Sequence, residues 1–185
     1  MDKNNRELME RARAGDRQAA SDLSVLHGPE VYRLARYLLN STEEARDAAA
    51  DIFAKLFASP GTIPTEGFRP WLLKVAYNHC MDILRRRRVL MRLLPKVYFK
   101  TSANMDPPLD EAVVESDERE EVRRVVGLLP EPDRAVVILR YYQQMRYSEI
   151  SKILDIPEAT VGSRLHRARE KIRKVLEKNE GVGEI

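Results

Sequence analysis

Apolar residues recur along this chain at three- and four-residue steps, the spacing of one helix face, and nowhere alternate as they do in a half-buried strand. Leu8, Met9 and Ala12 form a first stripe that stops at Gly15-Asp16. Asp16 has the short carboxylate an N-cap needs, and Ala19, Ala20, Leu23 and Leu26 follow it at helical spacing. Gly28-Pro29 predicts a break, after which Val31, Leu34, Ala35, Leu38 and Leu39 define a separate helix. Ser41-Thr42-Glu43-Glu44 reads as a capping box, with Glu44 reaching back to Ser41. The helix it opens carries Ala45, Ala48, Ala49, Ile52, Phe53, Leu56 and Phe57. A loop over 59–67, with two prolines and two glycines, separates it from a long helix over about 69–88 that buries Leu72, Leu73, Val75, Ala76 and Ile83.

The periodicity then lapses. Residues 100–115 run through Thr-Ser-Ala-Asn, Pro107-Pro108 and a string of acids, which predicts a flexible linker. Helical spacing returns at Asp117 with Val122, Val125, Val126 and Leu129, and Pro130 and Pro132 punctuate the start of the next helix. That helix carries Ala135, Val136, Ile138, Leu139 and Tyr142. Two more are expected, over about 148–154 and 158–176, joined by Asp155-Ile156-Pro157. The pattern implies an all-α protein of two small helical domains, residues 1–92 and 117–178, with a linker at 93–116 and a frayed tail at 179–185.

Composition adds little until charge is read locally. The formal net charge is only +3, yet residues 85–100 hold seven basic side chains and no acid, while residues 106–121 hold eight acids against Arg119. Such segregation signals local electrostatic roles that the total hides. Cys80 is the only cysteine, so no internal disulfide can form, which fits a reducing cytosol. The N-terminal residues are too polar for a signal peptide, and no run approaches the ~18 apolar residues of a membrane span. The expectation is a soluble, cytoplasmic protein without direct membrane insertion.

A short helix, a tight turn and a longer basic helix form a helix-turn-helix. Ile150, Ile153, Leu154, Ile156, Val161 and Leu165 are its predicted core, and Ser151 is small where the helices approach. The second helix sets Arg164, Arg167, Arg169, Lys171, Arg173 and Lys174 against Glu158 and Glu170. Arginine near the start of such a helix can grip a guanine with two hydrogen bonds, worth ~1–3 kcal/mol of discrimination. A helix whose basic face is merely solvated is the competing reading.

LPEPDRAVVILRYYQQMRYSEISKILDIPEATVGSRLHRAREKIR resembles the C-terminal domain of extracytoplasmic-function (ECF) sigma factors, which reads the minus-thirty-five promoter element, and TVGSRLHRAR carries most of the likeness. The resemblance implies that Thr160, Ser163, Arg164, His166 and Arg167 face the groove, while from their place on the helix Arg169, Lys171, Arg173 and Lys174 are expected to contact phosphates or remain solvated. Gly162 departs from the Lys or Arg this family often has there.

Residues 7–88 resemble the N-terminal domain of the same family. ARAGDRQAASDL is similar to its opening helices, and VYRLARYLLNSTEEARDAAADIFAKLF to the pair that docks on the polymerase clamp helices. GFRPWLLKVAYNHCMDILRRRR is similar to the helix that opens and reads the minus-ten element. Melting requires a site for an unstacked base and positive charge for the adjoining backbone. By resemblance Asn78 pairs with the base, while Lys74, Arg85, Arg86, Arg87 and Arg88 track phosphate. Trp71 is read as core rather than as a stacking platform. Asp47, Asp51 and Phe53 are the implied polymerase contacts, and Ala50 departs from the family's usual Gln.

Three other readings stay in play. An enzyme lacks a phosphate loop, metal-spaced ligands or a nucleophile set among three histidines and one cysteine, so no catalytic residue, metal or cofactor is expected. A DNA-binding regulator could share the C-terminal helices, but has no reason for Asn78 followed by four arginines. A degenerate family member acting as competitor or partner protein would fit Ala50 and Gly162. The resemblance itself implies a promoter-specificity subunit that binds core RNA polymerase through its clamp helices and flap, and binds promoter DNA. It also implies work in a stress or envelope response under an anti-sigma factor.

Overall fold

The computed structural model describes residues 3–64, 66–93 and 124–180. The chain forms two compact helical units, Met1–Asp106 and Pro107–Ile185. The expected linker 93–116 falls outside the described residues except for Leu93, which belongs to a helix instead. The predicted stretch from Asp117 to Arg123 and the end of the tail, 181–185, also lie outside them.

The first unit contains α1 (Lys3–Arg13), α2 (Arg17–Leu39), α3 (Thr42–Ala58), a single 3-10 turn at Pro60–Thr62, and α4 (Phe68–Leu93). α2 is the centre, packed against α1, α3 and α4. Asp16 caps it as expected, its Oδ1 accepting from the N–H groups of Gln18 at 2.9 Å and Ala19 at 3.2 Å. Arg11 donates to the other carboxylate oxygen at 2.7 Å, which holds the Asp16 carboxyl below its usual range and ties α1 to the start of α2.

The predicted break at Gly28-Pro29 does not occur, because α2 runs unbroken for 23 residues with Pro29 inside it. A proline in a helix interior costs ~3 kcal/mol by removing a hydrogen bond and crowding the carbonyl four residues back. Here that carbonyl belongs to Val25, which is 74% exposed, and Pro29 is exposed too, so water reaches the freed group. The opposite face, from Ala19 and Leu23 to Val31, Leu34, Leu38 and Leu39, is buried and keeps the axis continuous. Leu26, expected inside, lies with Val25 in solvent. α2 ends on Asn40, whose left-handed φ of 56° lets its N–H close on Arg36.

Ser41 caps α3, its Oγ accepting from the Glu44 N–H at 3.3 Å. Glu44 does not complete the box, since its Oε2 is 3.9 Å from Arg87 Nη1 on α4. α4 starts one residue earlier and ends five later than predicted, and it buries Phe68, Leu72, Leu73, Ala76 and Cys80 against α2 and α3. Arg69 and Glu30 pair at 2.9 Å across the α2–α4 contact, and the buried His27 ring meets Phe68 edge-on at 5.1 Å.

In the second unit, residues 124–127 are helical, followed by α5 (Glu131–Val137), one π-turn (Ile138–Tyr142), α6 (Tyr147–Leu154) and α7 (Glu158–Glu180). A single helix was expected through Tyr142. The wider turn instead closes the Gln143 N–H on Ile138 at 3.0 Å and leads to Gln144, in the left-handed region. α7 includes residues 179–180, which the sequence had placed in the tail. Its buried Val161, Leu165 and Ala168 pack on α5 and α6.

Candidate nucleic-acid and polymerase interfaces

α3 has one buried side, Ala45, Ala48, Ile52 and Leu56, and at 3.6 residues per turn the opposite side holds Asp47, Ala50 and Asp51. Both aspartates are exposed. Phe53, expected with them, is 7% exposed and stacks at 6.0 Å on Phe57. A position two beyond Asp51 turns by about 200° on a helix and so points to the core. Phe53 therefore lies beneath that face and offers little surface to it.

α4 organises its cations in two groups. Lys74, Asn78, Arg85 and Arg88 lie along one line, because steps of four, seven and three residues return to nearly the same angle. That line is opposite Leu72, Ala76 and Cys80, and Asn78, Arg85 and Arg88 are exposed. Arg85 is held by Asp82 at 2.8 Å. Arg86 is exposed but roughly a quarter-turn away from the line. Arg87 points to the other side, toward Glu44, so the four-arginine run does not act as one block. Trp71 is half-buried beside Phe68, with ring centroids 6.0 Å apart.

Two neighbours of Asn78 carry perturbed acid–base character. Burial pushes the Cys80 thiol up to about 12, which leaves it an inert part of the core. His79 is held below its usual value, first by burial and then by Lys55, despite opposing pull from Asp51 and Asp82. Its Nδ1 is 3.4 Å from Lys55 Nζ and its Nε2 is 3.7 Å from Asp51 Oδ2. This cluster joins α3 to α4 beside Asn78 in the chain, and residue spacing gave no sign of it.

In the second unit the turn between α6 and α7 is built from backbone demands. Asp155 takes the left-handed conformation (φ 55°) and closes its N–H on Ser151. Ser151 is small where expected, and its Oγ donates to the Ile156 carbonyl. Pro157 supplies the carbonyl that accepts from Thr160 at 2.9 Å and Val161 at 3.2 Å, starting α7. Arg140 places its guanidinium 5.4 Å from the Tyr147 ring centre, bracing α6 on the preceding turn.

On α7, Thr160, Arg164, Arg167 and Lys171 share a line at steps of four, three and four, with Ser163 beside it. Arg169 emerges on the other flank of the buried face, and His166 lies between the two flanks. The expected set therefore divides. Arg164 makes no ion pair among the described residues. Arg167 and Lys171 both turn to Asp133 of α5, at 3.7 and 3.3 Å. Asp133 is a functional candidate that the sequence reading missed, because its partners lie more than thirty positions away. Among the described residues no cluster of His, Cys, Asp or Glu could hold a metal, and no helix is long and apolar enough to cross a membrane.

Comparison with known proteins bears on both units. The family model for Sigma-70 region 2 matches residues 12–89, and that for Sigma-70, region 4 matches residues 119–172. The chain is 27% identical over 176 residues to the ECF RNA polymerase sigma factor SigW of Bacillus subtilis, covering 91% of this chain and 94% of that protein. It is 32% identical over 154 residues to the ECF RNA polymerase sigma factor SigE of Mycolicibacterium smegmatis, covering 83% of this chain and 60% of that one. Among solved structures it is similar to CnrH, in complex with the cytosolic domain of CnrY (TM-score 0.69, 23% identity, 94% of this chain and 97% of that one). It is also similar to the sigma factor RpoE of Bartonella quintana, in complex with the anti-sigma factor NepR (TM-score 0.71, 19% identity, 85% and 96%). At such identities the structural likeness speaks for the fold, and the sequence matches speak for kinship. With one family model matching each helical unit and full-length relatives spanning both, the chain belongs to the ECF group of RNA polymerase sigma factors.

Proposed function

We propose that this sigma factor joins core RNA polymerase through the outward face of α3 and the polymerase flap, and directs initiation by gripping promoter DNA with α4 and α7. Asp47 and Asp51 meet the clamp helices. Asn78 receives an unpaired minus-ten base while Lys74, Arg85 and Arg88 follow the strand, Arg86 assisting from the side. Thr160, Ser163 and Arg164 meet the minus-thirty-five duplex, where Arg164 reads a base and Arg169 contacts phosphate. The single observation that carries this reading is the line from half-buried Lys74 through exposed Asn78 to exposed Arg85 and Arg88, an amide flanked by cations on one side of a helix. Such a line suits a single strand, which needs base pairing at one point and charge along its length. The segment 93–116 tethers the two units, so avidity depends on its reach.

The protein works in the cytoplasm, without enzymatic activity, in a stress or envelope response under an anti-sigma factor. The named complexes of CnrH with CnrY and of RpoE with the anti-sigma factor NepR support that kind of control. Multi-round transcription with purified, sigma-free core polymerase and a library of promoter fragments tests the reading. Transcripts that require both core and this chain are expected. A requirement for a second sigma subunit would assign the chain to the helix-turn-helix regulators instead.

A further inference from the structure

We propose that Asp133 is a specificity-determining positioning residue that withholds Arg167 and Lys171 from duplex phosphates. This deepens the proposed minus-thirty-five contact and rests on α7 being the helix that meets duplex DNA. Asp133 lies in the first turn of α5 and is 6% exposed, an unusual burial for a carboxylate. Each of its oxygens has one cation: Oδ1 faces Arg167 Nη2 at 3.7 Å, and Oδ2 accepts from Lys171 Nζ at 3.3 Å. Both cations belong to the line that begins with Thr160 and Arg164, so the tie divides that line in two. Its first half keeps Arg164 without an ion pair, and its second half is folded back on the protein's own acid.

The consequence follows from the nature of phosphate binding. Each cation that neutralises a phosphate strengthens binding to every DNA sequence alike and adds about 0.9 to the salt exponent. A cation engaged by a buried carboxylate must abandon that partner to reach phosphate, and the carboxylate left behind is uncompensated. Asp133 therefore lowers affinity for unrelated duplex and leaves discrimination to Arg164. The ratio between promoter and random DNA rises although absolute affinity falls.

The test is a cycle on the full chain with Asp133→Asn and the pair Arg167→Gln, Lys171→Gln. Binding to a fluorescent duplex of unrelated sequence is followed by anisotropy across potassium chloride concentrations. D133N is expected to bind on the order of tenfold tighter at moderate salt and to steepen the log–log salt slope by about 1–2. The Gln pair in the wild-type background should leave affinity within about twofold and the slope unchanged, yet it should cancel the whole gain in D133N. An equal loss from the Gln pair in both backgrounds would overturn the proposal, because the cations would then already be on phosphate. A purely structural Asp133 would lower the melting temperature of D133N without moving the slope, and that also overturns it. Should D133N not fold, the Gln pair in the wild-type background decides alone: unchanged affinity and slope support the tie, and a loss of affinity with a shallower slope overturns it. Absence of initiation by the wild-type protein with core polymerase, alongside an intact cycle, would sink the promoter reading while leaving the tie in place.

Discussion

The first unit leaves large aliphatic side chains in water, whereas the described residues of the second bury nearly all of theirs and expose charge. Val25 and Leu26 on α2 and Val89, Leu90, Met91 and Leu93 at the end of α4 are exposed, Leu93 to 73%. Among the described residues the second unit shows only Leu128 and Tyr141 in this class. Its surface instead carries Arg164, Arg169 and Lys174 without ion pairs among those residues. Exposed aliphatic surface suits a protein partner, which can bury it. Unpaired cations on a finished fold suit a polyanion, whose phosphates replace counterions without any demand for apolar area. The contrast teaches that two helical units of one chain can finish their surfaces differently, one leaving aliphatic patches open and the other leaving cations open.

The most disruptive way to challenge the contrast is to unfold one unit alone. Leu34 and Leu139 are fully buried, one in each unit, and truncation of either to Ala is expected to cost ~2–5 kcal/mol. Calorimetry should then show Leu34→Ala lowering one transition and Leu139→Ala the other. A single transition shifted equally by both would mean that the units do not melt separately, and the comparison would have to be abandoned.

A smaller effect sharpens it. Arg164→Ala should cost ~1–3 kcal/mol at a minus-thirty-five duplex and much less on random DNA, with polymerase affinity intact. Asp47→Ala with Asp51→Ala should do the reverse, weakening holoenzyme assembly about tenfold at ~0.5–1.5 kcal/mol per lost contact while leaving duplex binding alone. Both acids are exposed, so melting temperatures should barely move. Titration of labelled protein with core polymerase, and separately with duplex, reads the two losses. Crossed effects would erase the assignment of Arg164 to duplex and of Asp47 and Asp51 to polymerase.

Much of this division was legible from spacing. The caps at Asp16 and Ser41, the helix-turn-helix and the two-unit plan follow from local rules that act within a few residues. What escaped was set by packing between distant elements. Gly28-Pro29 signals a break by every local rule, but a buried face on both sides holds α2 together. The four arginines were assigned to phosphate as a set, whereas helical rotation sends Arg87 to the other side of α4, where Glu44 lies 3.9 Å away. Asp133 carries no signal in the sequence, because Arg167 and Lys171 reach it only once α7 packs beside α5. Phe53 was assigned to a surface by family position, whereas two residues of helical rotation point it inward.

Acidity should affect the first unit through His79. In the folded protein this ring resists protonation, through burial and the nearby Lys55, against a usual value of 6.5. The unfolded chain therefore binds the proton more readily, and by linkage stability rises with pH across that range. Above about pH 6.5 His79 exerts no effect. As pH falls from there through the lowered native value, the first unit should lose stability, and the loss levels off below it. Asp51, Asp82, Lys55 and Arg86 are the charges that act on the ring. Denaturant melts of His79→Gln and wild type between pH 7.5 and 5 should diverge only on the acid side. Identical pH profiles would remove His79 as the cause.

Gly162 provides the finest test of how finished the second unit is. It occupies the first turns of α7 in a helical conformation, where glycine costs ~1 kcal/mol relative to alanine through the freedom it loses on folding. A Cβ built there would meet only Tyr147 Cε2 at 3.8 Å, an ordinary contact. Gly162→Ala should therefore stabilise the second unit by ~0.5–1 kcal/mol and leave the first unit's transition where it was. Gly162→Lys should give a similar stabilisation and add one cation, raising the salt exponent for duplex binding by about 0.9 if that cation reaches phosphate. Stabilisation with no change in exponent would mean that this flank of α7 faces away from DNA. The groove-facing surface would then be confined to the side of Thr160, Ser163 and Arg164.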